Sequence, residues 1–151
     1  MSEPLVLTID FGTQSVRAML FDKHGKDYGK EKVHFKEPYF SKEIGWAEQK
    51  PEFYWDRLKE ATNGLKAKCP ELWDDIRAVS VTTIRDTAVI VDKDGKPLRD
   101  IILWLDQREV KDADKTRFGS GFKSLLRLIN MYDMAATQCK SSPCNWVHEY
   151  E

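Results

Sequence analysis

A short polar segment, residues 10–17, combines residue types that bind phosphate groups. It reads Asp-Phe-Gly-Thr-Gln-Ser-Val-Arg and directly follows an apolar, β-branched run at residues 5–9. Gly12 lets the backbone approach a polyanion closely, the Thr13 hydroxyl and the turn N–H groups can donate to phosphate oxygens, and the Asp10 carboxylate can hold hydrated Mg2+. A β-hairpin with a capping Asp explains the same spacing, so both interpretations stay open.

A second polar cluster, Arg85 with Asp86, stands between two apolar segments. These segments, residues 78–83 and 87–91, are expected to be strands in the interior. The adjacent charges suit a polyol, because a guanidinium donates hydrogen bonds as a fork while a carboxylate accepts them from hydroxyl groups. A solvated loop at the strand ends is the alternative interpretation.

The third cluster follows an apolar run, residues 101–104, and consists of Trp104, Asp106 and Arg108. Ligand sites in α/β sheets gather at strand ends, where an indole and two charges are well placed to line a pocket. The alternative is a buried Trp beside an Asp that caps the following helix.

The elements that must position these clusters are predicted from hydrophobic periodicity. A helix begins at Pro51 and ends before Pro70, and the loop at residues 45–48 is expected to pack onto its start. A second helix is predicted from the apolar positions Phe122, Leu125, Leu126 and Ile129, which core packing explains. The strands are predicted at residues 5–9, 16–21, 32–35, 78–83, 87–91 and 101–104, with a turn at Asp94-Gly95. A mixed sheet with helices packed on it follows.

Composition sets limits on the class of protein. The length of 151 residues predicts one domain, and the net charge of -1, from 24 basic and 25 acidic side chains, argues against nucleic acid as the main partner. Neither a signal peptide nor an apolar run of ~20 residues is present, so we expect a cytoplasmic protein without a membrane partner. The three Cys include no Cys-x-x-Cys pair, which argues against a disulfide framework and a zinc site.

The carboxyl end suggests a fragment. Ser142 and Pro143 predict a helix start, yet the chain stops at Glu151 after about two turns of 3.6 residues and without a C-cap signal. We therefore expect a truncated single domain.

Taken in chain order, three segments resemble the amino-terminal domain of the FGGY family of carbohydrate kinases. They are residues 10–17 with Asp22 beyond them, Gly45-Trp46-Ala47-Glu48-Gln49 before the first helix, and Trp104-Leu105-Asp106-Gln107-Arg108. The resemblance covers essentially the whole chain. It implies an α/β, ribonuclease H-like fold of the actin and sugar-kinase superfamily, a mixed sheet with flanking helices, in which two such domains enclose ATP, Mg2+ and a polyol or ketose. It also implies transfer of the ATP γ-phosphoryl group to a hydroxyl group of that substrate.

The same resemblance implies roles for individual residues. The family loop that matches residues 10–17 faces the ATP phosphates, which makes Asp10, Gly12, Thr13, Gln14 and Arg17 cofactor contacts and lets Asp10 hold Mg2+ through water. In glycerol kinases an Arg-Glu pair holds glycerol hydroxyls and a Trp lines the pocket. The matching substrate contacts are Arg85, Asp86 and Trp104, with Asp106 beside them. Such donors and Mg2+ ligands suit phosphoryl transfer, which depends on positioning and charge stabilisation.

Two departures from the family pattern bear on the substrate and on activity. Asp86 is shorter than the Glu of glycerol kinases, and the segment that supplies a substrate Tyr there has no clear match near residues 118–132. The family's catalytic Asp and its adenine-binding second domain lie beyond Glu151, so the resemblance implies a fragment that is inactive alone. The sugar is not defined, and a homo-oligomer is left open.

Two other function classes remain open. A ribonuclease H-like nuclease would use Asp10 and Asp86 to bind two metal ions, although the balanced charge and the Gly-Thr after Asp10 argue against it. A non-catalytic binding module of the same fold is the other class.

Overall fold

The structure is a computed structural model that describes residues 3–108, 120–131, 133 and 134. It contains two compact units, which we call the sheet unit (Met1–Pro38 and Lys50–Ile84) and the turn unit (Tyr39–Gln49 and Arg85–Glu151). The elements in chain order are β1 (Leu5–Phe11), β2 (Ser15–Asp22), β3 (Asp27–His34), β4 (Glu48–Gln49), α1 (Pro51–Lys68), a 3-10 helix (Pro70–Asp75), β5 (Ile76–Thr82), β6 (Ile101–Ile102) and α2 (Ser120–Leu128).

The sheet unit contains a mixed sheet with the strand order β3-β2-β1-β5. The strand β2 runs antiparallel to β1 and to β3, whereas β5 runs parallel to β1. The predicted mixed sheet is therefore confirmed, together with the hairpin between β1 and β2. The strand β3 begins at Asp27, earlier than the predicted residue 32, because its pairing with β2 does not depend on apolar side chains.

The turn between β2 and β3 is closed by the buried side chain of Asp22. Its Oδ1 accepts hydrogen bonds from the N–H groups of His24 and Lys26, at 2.8 and 3.0 Å. The hydrogen bond from the Lys26 N–H contributes most to holding the pKa of Asp22 below its ordinary value. Asp22 thus stabilises the hairpin as an Asx-type turn.

The helix α1 packs its apolar face onto β2 and β3. Pro51 stands at its first turn, and it ends before Pro70, as predicted. Ala61 and Leu65 are fully buried on this face. Close packing also explains a glycine in β3, because a Cβ atom at Gly29 would lie 2.6 Å from the Cys69 sulfur. The full core cluster is Leu7, Ile9, Val16, Ala18, Leu20, Val33, Phe35, Ala61, Leu65 and Cys69.

The strand β5 is exposed, although the sequence predicts an interior strand. Val79 and Val81 pair with Leu7 and Ile9 of β1 and so lie on the same face of the sheet as the core. They are nevertheless 61% and 54% exposed. The prediction of burial is wrong because β5 lies at the edge of the described sheet, away from β2 and β3, on which α1 packs.

The turn unit has less regular structure than its apolar sequence predicts. The strand β4 pairs antiparallel with β6, which is shorter than the predicted strand at residues 101–104. Residues 87–91 form isolated bridges, Ala88 with Ile102 and Val91 with Pro97, in place of the predicted strand. The predicted turn at Asp94-Gly95 is confirmed, and Gly95 has a φ of +78° that suits glycine.

The second predicted helix is present as α2, but core packing accounts for only part of its apolar face. Leu126 is buried, whereas Leu125 and Ile129 are about half exposed. The side chain of Phe122 and the helix start predicted at residues 142–143 lie outside the described residues. Within the described chain, no helix is both long and apolar enough to span a membrane.

Candidate functional site

Asp10 lies where three strands of the sheet unit bring polar groups together. It pairs with Arg17 of β2 and with Thr82 of β5. Its Oδ2 accepts a hydrogen bond from Arg17 Nη1 at 2.6 Å, and its Oδ1 accepts one from the Thr82 hydroxyl at 3.0 Å. The Asp10 and Arg17 side chains remain 39% and 42% exposed. The carboxylate is therefore oriented by the chain and still open to a ligand.

The turn between β1 and β2 carries the other predicted phosphate contacts. The Gly12 N–H donates to the Ser15 carbonyl at 2.9 Å, and the Gln14 carbonyl accepts from the Phe35 N–H at 2.8 Å. A Cβ atom at Gly12 would lie 3.5 Å from the Ser15 carbonyl oxygen, which is an ordinary contact. The fold itself thus has room for a side chain at residue 12, so the glycine is not required by packing. Thr13 is half-buried in the same turn.

The surroundings of Asp10 fit a hydrated Mg2+ better than a metal enclosed by protein ligands. The described residues contain no group of three or more His, Cys, Asp or Glu side chains placed to bind a metal. Mg2+ commonly uses one or two carboxylates, retains several waters and takes its remaining oxygens from substrate phosphates. A single half-exposed carboxylate, beside a hydroxyl group and a guanidinium, suits that pattern.

Arg85 and Asp86 lie on a loop of the turn unit, after β5 has ended. The Arg85 side chain is 95% exposed, and its Nε lies 3.7 Å from Oδ2 of Asp86, whose side chain is 41% exposed. The backbone of Asp86 has a φ of +54°. This left-handed conformation is uncommon outside glycine, and such conformations are concentrated at functional sites. Asp adopts this conformation in turns more readily than most residues do, so the ligand role of the pair stays a prediction, with Arg85 extending toward solvent.

Trp104 lies next to this loop. We call residues 103–108 the Trp104 turn. The Trp104 N–H donates to the Thr87 hydroxyl at 3.2 Å, and that hydroxyl is 3.5 Å from the Arg85 carbonyl oxygen. Trp104 is 51% exposed, so the alternative of a buried Trp is wrong. The structure thus places the backbone of Trp104, whose side chain is half exposed, beside the Arg85 and Asp86 loop.

Asp106, the fourth predicted substrate contact, is engaged by the chain itself. It is 4% exposed. Its Oδ2 accepts from the Ala47 N–H at 2.7 Å and from Arg108 Nη2 at 2.7 Å, while its Oδ1 accepts from Arg108 Nε at 2.8 Å and from the Arg108 N–H at 2.9 Å. Burial acts to raise the pKa of Asp106, but the hydrogen bonds from Arg108 and Ala47 outweigh it and hold the pKa below its ordinary value.

Glu48 is a buried carboxylate in the second of the three segments that carry the family resemblance, which implies no role for it. It is 1% exposed and forms ion pairs with Lys42 at 2.9 Å, Arg99 at 3.1 Å and Arg108 at 3.0 Å. Burial acts to raise its pKa, but hydrogen bonds from Lys42 and Arg108 outweigh burial and lower it. We call these residues the ion cluster: Lys42, Glu48, Arg99, Asp100, Asp106 and Arg108.

Residues 45–48 belong to the turn unit, and their predicted packing onto the start of α1 stays a prediction. Glu48 pairs with Ile102 of β6, in the turn unit. Its partners Arg99 and Arg108 lie 51 and 60 residues away in sequence. No local pattern could identify them. The only available signal was a single Glu between Ala47 and Gln49, both of which are also buried.

Residues 5–137 match the family model described as "FGGY family of carbohydrate kinases, N-terminal domain". A glycerol kinase from Thermococcus kodakarensis is 33% identical over 141 residues, which cover 91% of this chain and 28% of that protein. A glycerol kinase from Rhizobium meliloti is 35% identical over 113 residues, which cover 74% of this chain and 22% of that protein. The chain thus spans less than a third of the length of these curated relatives.

Solved structures share the fold. A crystal structure described as a xyloylose kinase from Brucella ovis has a TM-score of 0.70 at 25% identity, covering 80% of this chain and 24% of that protein. A glycerol kinase from Plasmodium falciparum, solved with ADP, has a TM-score of 0.60 at 21% identity, covering 91% of this chain and 31% of that protein. These likenesses confirm the expected ribonuclease H-like mixed sheet.

Proposed function

Because the chain belongs to the FGGY family of carbohydrate kinases, we propose that it is the amino-terminal part of an enzyme that transfers the γ-phosphoryl group of ATP to a hydroxyl group of a sugar or polyol. The match of the family model to residues 5–137 carries this proposal. The names of the relatives, glycerol kinase among them, support an alcohol group as the acceptor.

The turn between β1 and β2 is our proposed phosphate site. Asp10 and Arg17 are held together at 2.6 Å while each stays partly exposed, so a phosphate group meets groups that are already oriented. Gly12, Thr13 and Gln14 form the turn beside this pair, and turn amides that are not engaged within the chain suit anions. The Gly12 N–H already donates to the Ser15 carbonyl. Packing does not require the glycine at residue 12, which supports close approach of a ligand as its role.

Mg2+ would be held near Asp10 through water, because the carboxylate is oriented but only half exposed. When bound, Mg2+ neutralises charge on the phosphate oxygens of the transferred group. The Arg17 guanidinium contributes a second positive charge at the same place, and the Thr82 hydroxyl fixes Asp10 Oδ1. These residues act by positioning and by charge stabilisation.

Arg85, Asp86 and Trp104 form our proposed polyol site. Arg85 donates to hydroxyl oxygens, Asp86 accepts from hydroxyl groups, and the half-exposed indole of Trp104 offers an apolar wall to the carbon chain. Asp106 is better suited to orient the Trp104 turn than to bind the substrate directly, because its oxygens already accept hydrogen bonds from Ala47 and Arg108. We place the group that accepts the proton of the substrate hydroxyl outside these 151 residues.

No observation favours the nuclease alternative, and the relatives reported above are kinases. A non-catalytic binding module would share the fold and differ in ligand response. Binding of MgATP together with a sugar or polyol supports the kinase class, and the same measurement tests the proposed sites.

Amide NMR titrations of the 151-residue chain test the proposal. Glycerol and xylulose should each be compared with MgATP. We expect the sugar or polyol to shift the amide signals of residues 85–87 and 104, and MgATP to shift those of residues 10–17. Arg85→Ala should weaken the first response roughly twofold to tenfold, because a hydrogen bond made by an exposed side chain contributes about 0.5 to 1.5 kcal/mol net, and should leave the second unchanged.

Arg77→Ala is the matched control, because Arg77 is also exposed and lies on β5 in the sheet unit. The absence of both responses at millimolar ligand would contradict the proposed sites. A sugar response that survives Arg85→Ala would contradict the polyol site alone.

A further inference from the structure

The ion cluster contains a carboxylate that the proposed chemistry does not use. Glu48 is 1% exposed and lies in β4. Burying a carboxylate is costly unless it is paired and hydrogen-bonded. Glu48 meets this condition through three cations, Lys42, Arg99 and Arg108.

Side-chain contacts lead from Glu48 to the Trp104 turn in two steps. Glu48 Oε1 accepts from Arg108 Nη1 at 3.0 Å. The same guanidinium donates to both carboxylate oxygens of Asp106, from Nε at 2.8 Å and from Nη2 at 2.7 Å. Its face also lies over the Trp46 ring, 4.1 Å from the ring centroid. Arg108 is therefore fixed by Asp106, by the Trp46 ring and by Glu48, which accepts a hydrogen bond from Nη1.

Backbone contacts hold the same turn at both ends. The Leu103 N–H donates to the Ala47 carbonyl at 3.0 Å, and the Gln107 N–H donates to the Gly45 carbonyl at 2.9 Å. Between these bonds lies Trp104. The segment that carries Glu48 thus accepts hydrogen bonds from the backbone near both ends of the turn.

The balance of charge makes Glu48 the central member of the ion cluster. Three cations face three carboxylates, and Glu48 is the only one of those carboxylates that pairs with all three cations in the described structure. Neutralising Glu48 would take one charged partner from Arg99 and from Arg108, whose side chains are 25% and 14% exposed. A cavity of about 290 Å3 borders Glu48 and Arg99, so the guanidinium of Arg99 has room to move.

We propose that Glu48 is a positioning residue that, through Arg108 and Asp106, fixes the Trp104 turn so that Trp104 can line the polyol site. The role of Trp104 in a polyol site rests on the proposed function. The fixing of the turn does not depend on it. Glu48 touches neither ligand nor reacting atoms in this role.

The test uses the full chain labelled with 5-fluorotryptophan and followed by 19F NMR. Trp104→Phe assigns the Trp104 signal, and the signals of Trp55 and Trp73, which belong to the sheet unit, serve as internal references. In Glu48→Gln we expect the Trp104 signal to shift or broaden while the reference signals stay unchanged. The apparent dissociation constant for glycerol or xylulose should rise at least fivefold. Glu48→Asp, which keeps the charge, should recover part of both effects.

Glu43→Gln is the matched control, because it makes the same chemical change at an exposed residue of the same segment. If Glu48→Gln and Glu43→Gln give the same Trp104 signal as the unaltered chain, the proposal is overturned. If Glu48→Gln does not fold, Glu48→Asp and Arg108→Lys decide, since both keep the charges and loosen the contacts. An unchanged Trp104 signal in these two folded variants also overturns it.

Failure of the proposed function has a different outcome. If the unaltered chain does not respond to either polyol, the polyol site is wrong. The 19F signal of Trp104 in Glu48→Gln then still decides whether Glu48 positions the turn.

Discussion

Individual side chains at the two proposed sites differ in how far the chain orders them before a ligand arrives. Asp10 is held by Arg17 and by Thr82, so a phosphate or a hydrated metal ion meets a fixed carboxylate. Arg85 is 95% exposed and must be ordered on binding, which costs about 0.5 to 1.5 kcal/mol for a flexible side chain. We therefore expect the polyol site to bind more weakly than the phosphate site in this chain.

At the residue scale, Asp10→Asn should remove the Mg2+-dependent part of nucleotide binding. The amide keeps the size of the side chain and loses the negative charge that attracts the hydrated ion. We expect the dissociation constant of MgATP to rise roughly tenfold, as for lost metal-supporting groups, while binding of ATP without Mg2+ changes little. Isothermal titration calorimetry with and without Mg2+ measures both.

Asp56→Asn, at an exposed position of α1, is the control for this change. An Asp10→Asn chain that binds MgATP as tightly as the control would remove Asp10 from the metal site.

Among the secondary-structure elements, the contact of α1 with β3 depends on small residues. Gly29 of β3 lies against Cys69 and Leu65, and Gly64 of α1 lies against Glu31. The glycines let the helix approach the strand closely. This close approach buries Leu65 completely. It thereby stabilises the sheet in which Asp10 lies near the end of β1.

Gly29→Ala should lower the free energy of unfolding by about 1 to 3 kcal/mol, the usual cost of overpacking a core. The new Cβ would lie 2.6 Å from the buried Cys69 sulfur, so one of the two must move. Urea unfolding measures the loss, and replacing the sulfur as well, in Gly29→Ala with Cys69→Ala, should recover part of it. Gly121→Ala is the control, because a Cβ atom there has open space in α2. Equal stability of Gly29→Ala and the unaltered chain would refute the close packing.

The ion cluster makes the stability of the turn unit depend on pH. The pKa values of Glu48 and Asp106 lie below their ordinary values of 4.5 and 3.8. As the pH falls, the unfolded chain therefore takes up protons before the folded chain does. The stability that these carboxylates contribute is complete above the ordinary values and is lost as the pH falls through the lowered ones.

Unfolding by urea at a series of pH values tests this dependence. At about pH 7, Glu48→Gln should be less stable than the unaltered chain by about 3 kcal/mol, as is typical when one member of a buried ion pair is removed. The difference should shrink steadily below the ordinary pKa of 4.5. A difference that stays constant down to about pH 3 would show that the charge of Glu48 does not stabilise the fold.

At the scale of the whole molecule, the question is how many of the groups needed for phosphoryl transfer lie in these 151 residues. The chain covers 28% of a glycerol kinase from Thermococcus kodakarensis, and it presents Val79 and Val81 of β5 to solvent. Phosphoryl transfer needs the nucleotide, the acceptor hydroxyl and a proton acceptor to be brought together. We place only some of these groups in the 151 residues.

We therefore expect the 151-residue chain to show no sugar-dependent turnover of ATP, even where it binds both ligands. A coupled assay for ADP with glycerol and with xylulose measures this. The unaltered chain and Asp10→Asn should give the same background. Turnover that persists through further purification, and that Asp10→Asn abolishes, would show that the chain holds a complete active site.

The sequence by itself determined several of the local elements. A continuous apolar, β-branched run predicted β1, an apolar segment predicted β2, and Pro51 and Pro70 bounded α1. The phosphate site at residues 10–17 stays a prediction from residue types. These features depend on neighbours within a few residues along the chain. The repeat of side-chain direction along a strand or helix and the fixed φ of proline both act over that range.

Only the tertiary structure decided which distant groups meet and which apolar surfaces are covered. The partners of Glu48 lie up to 60 residues away, and a single Glu in the sequence does not specify which of many cations will pair with it. The apolar pattern of β5 predicted burial, yet its burial depends on what packs against the strand, and Val79 stays 61% exposed. Periodicity records that a residue is apolar, whereas the packing of the folded chain determines what lies against it.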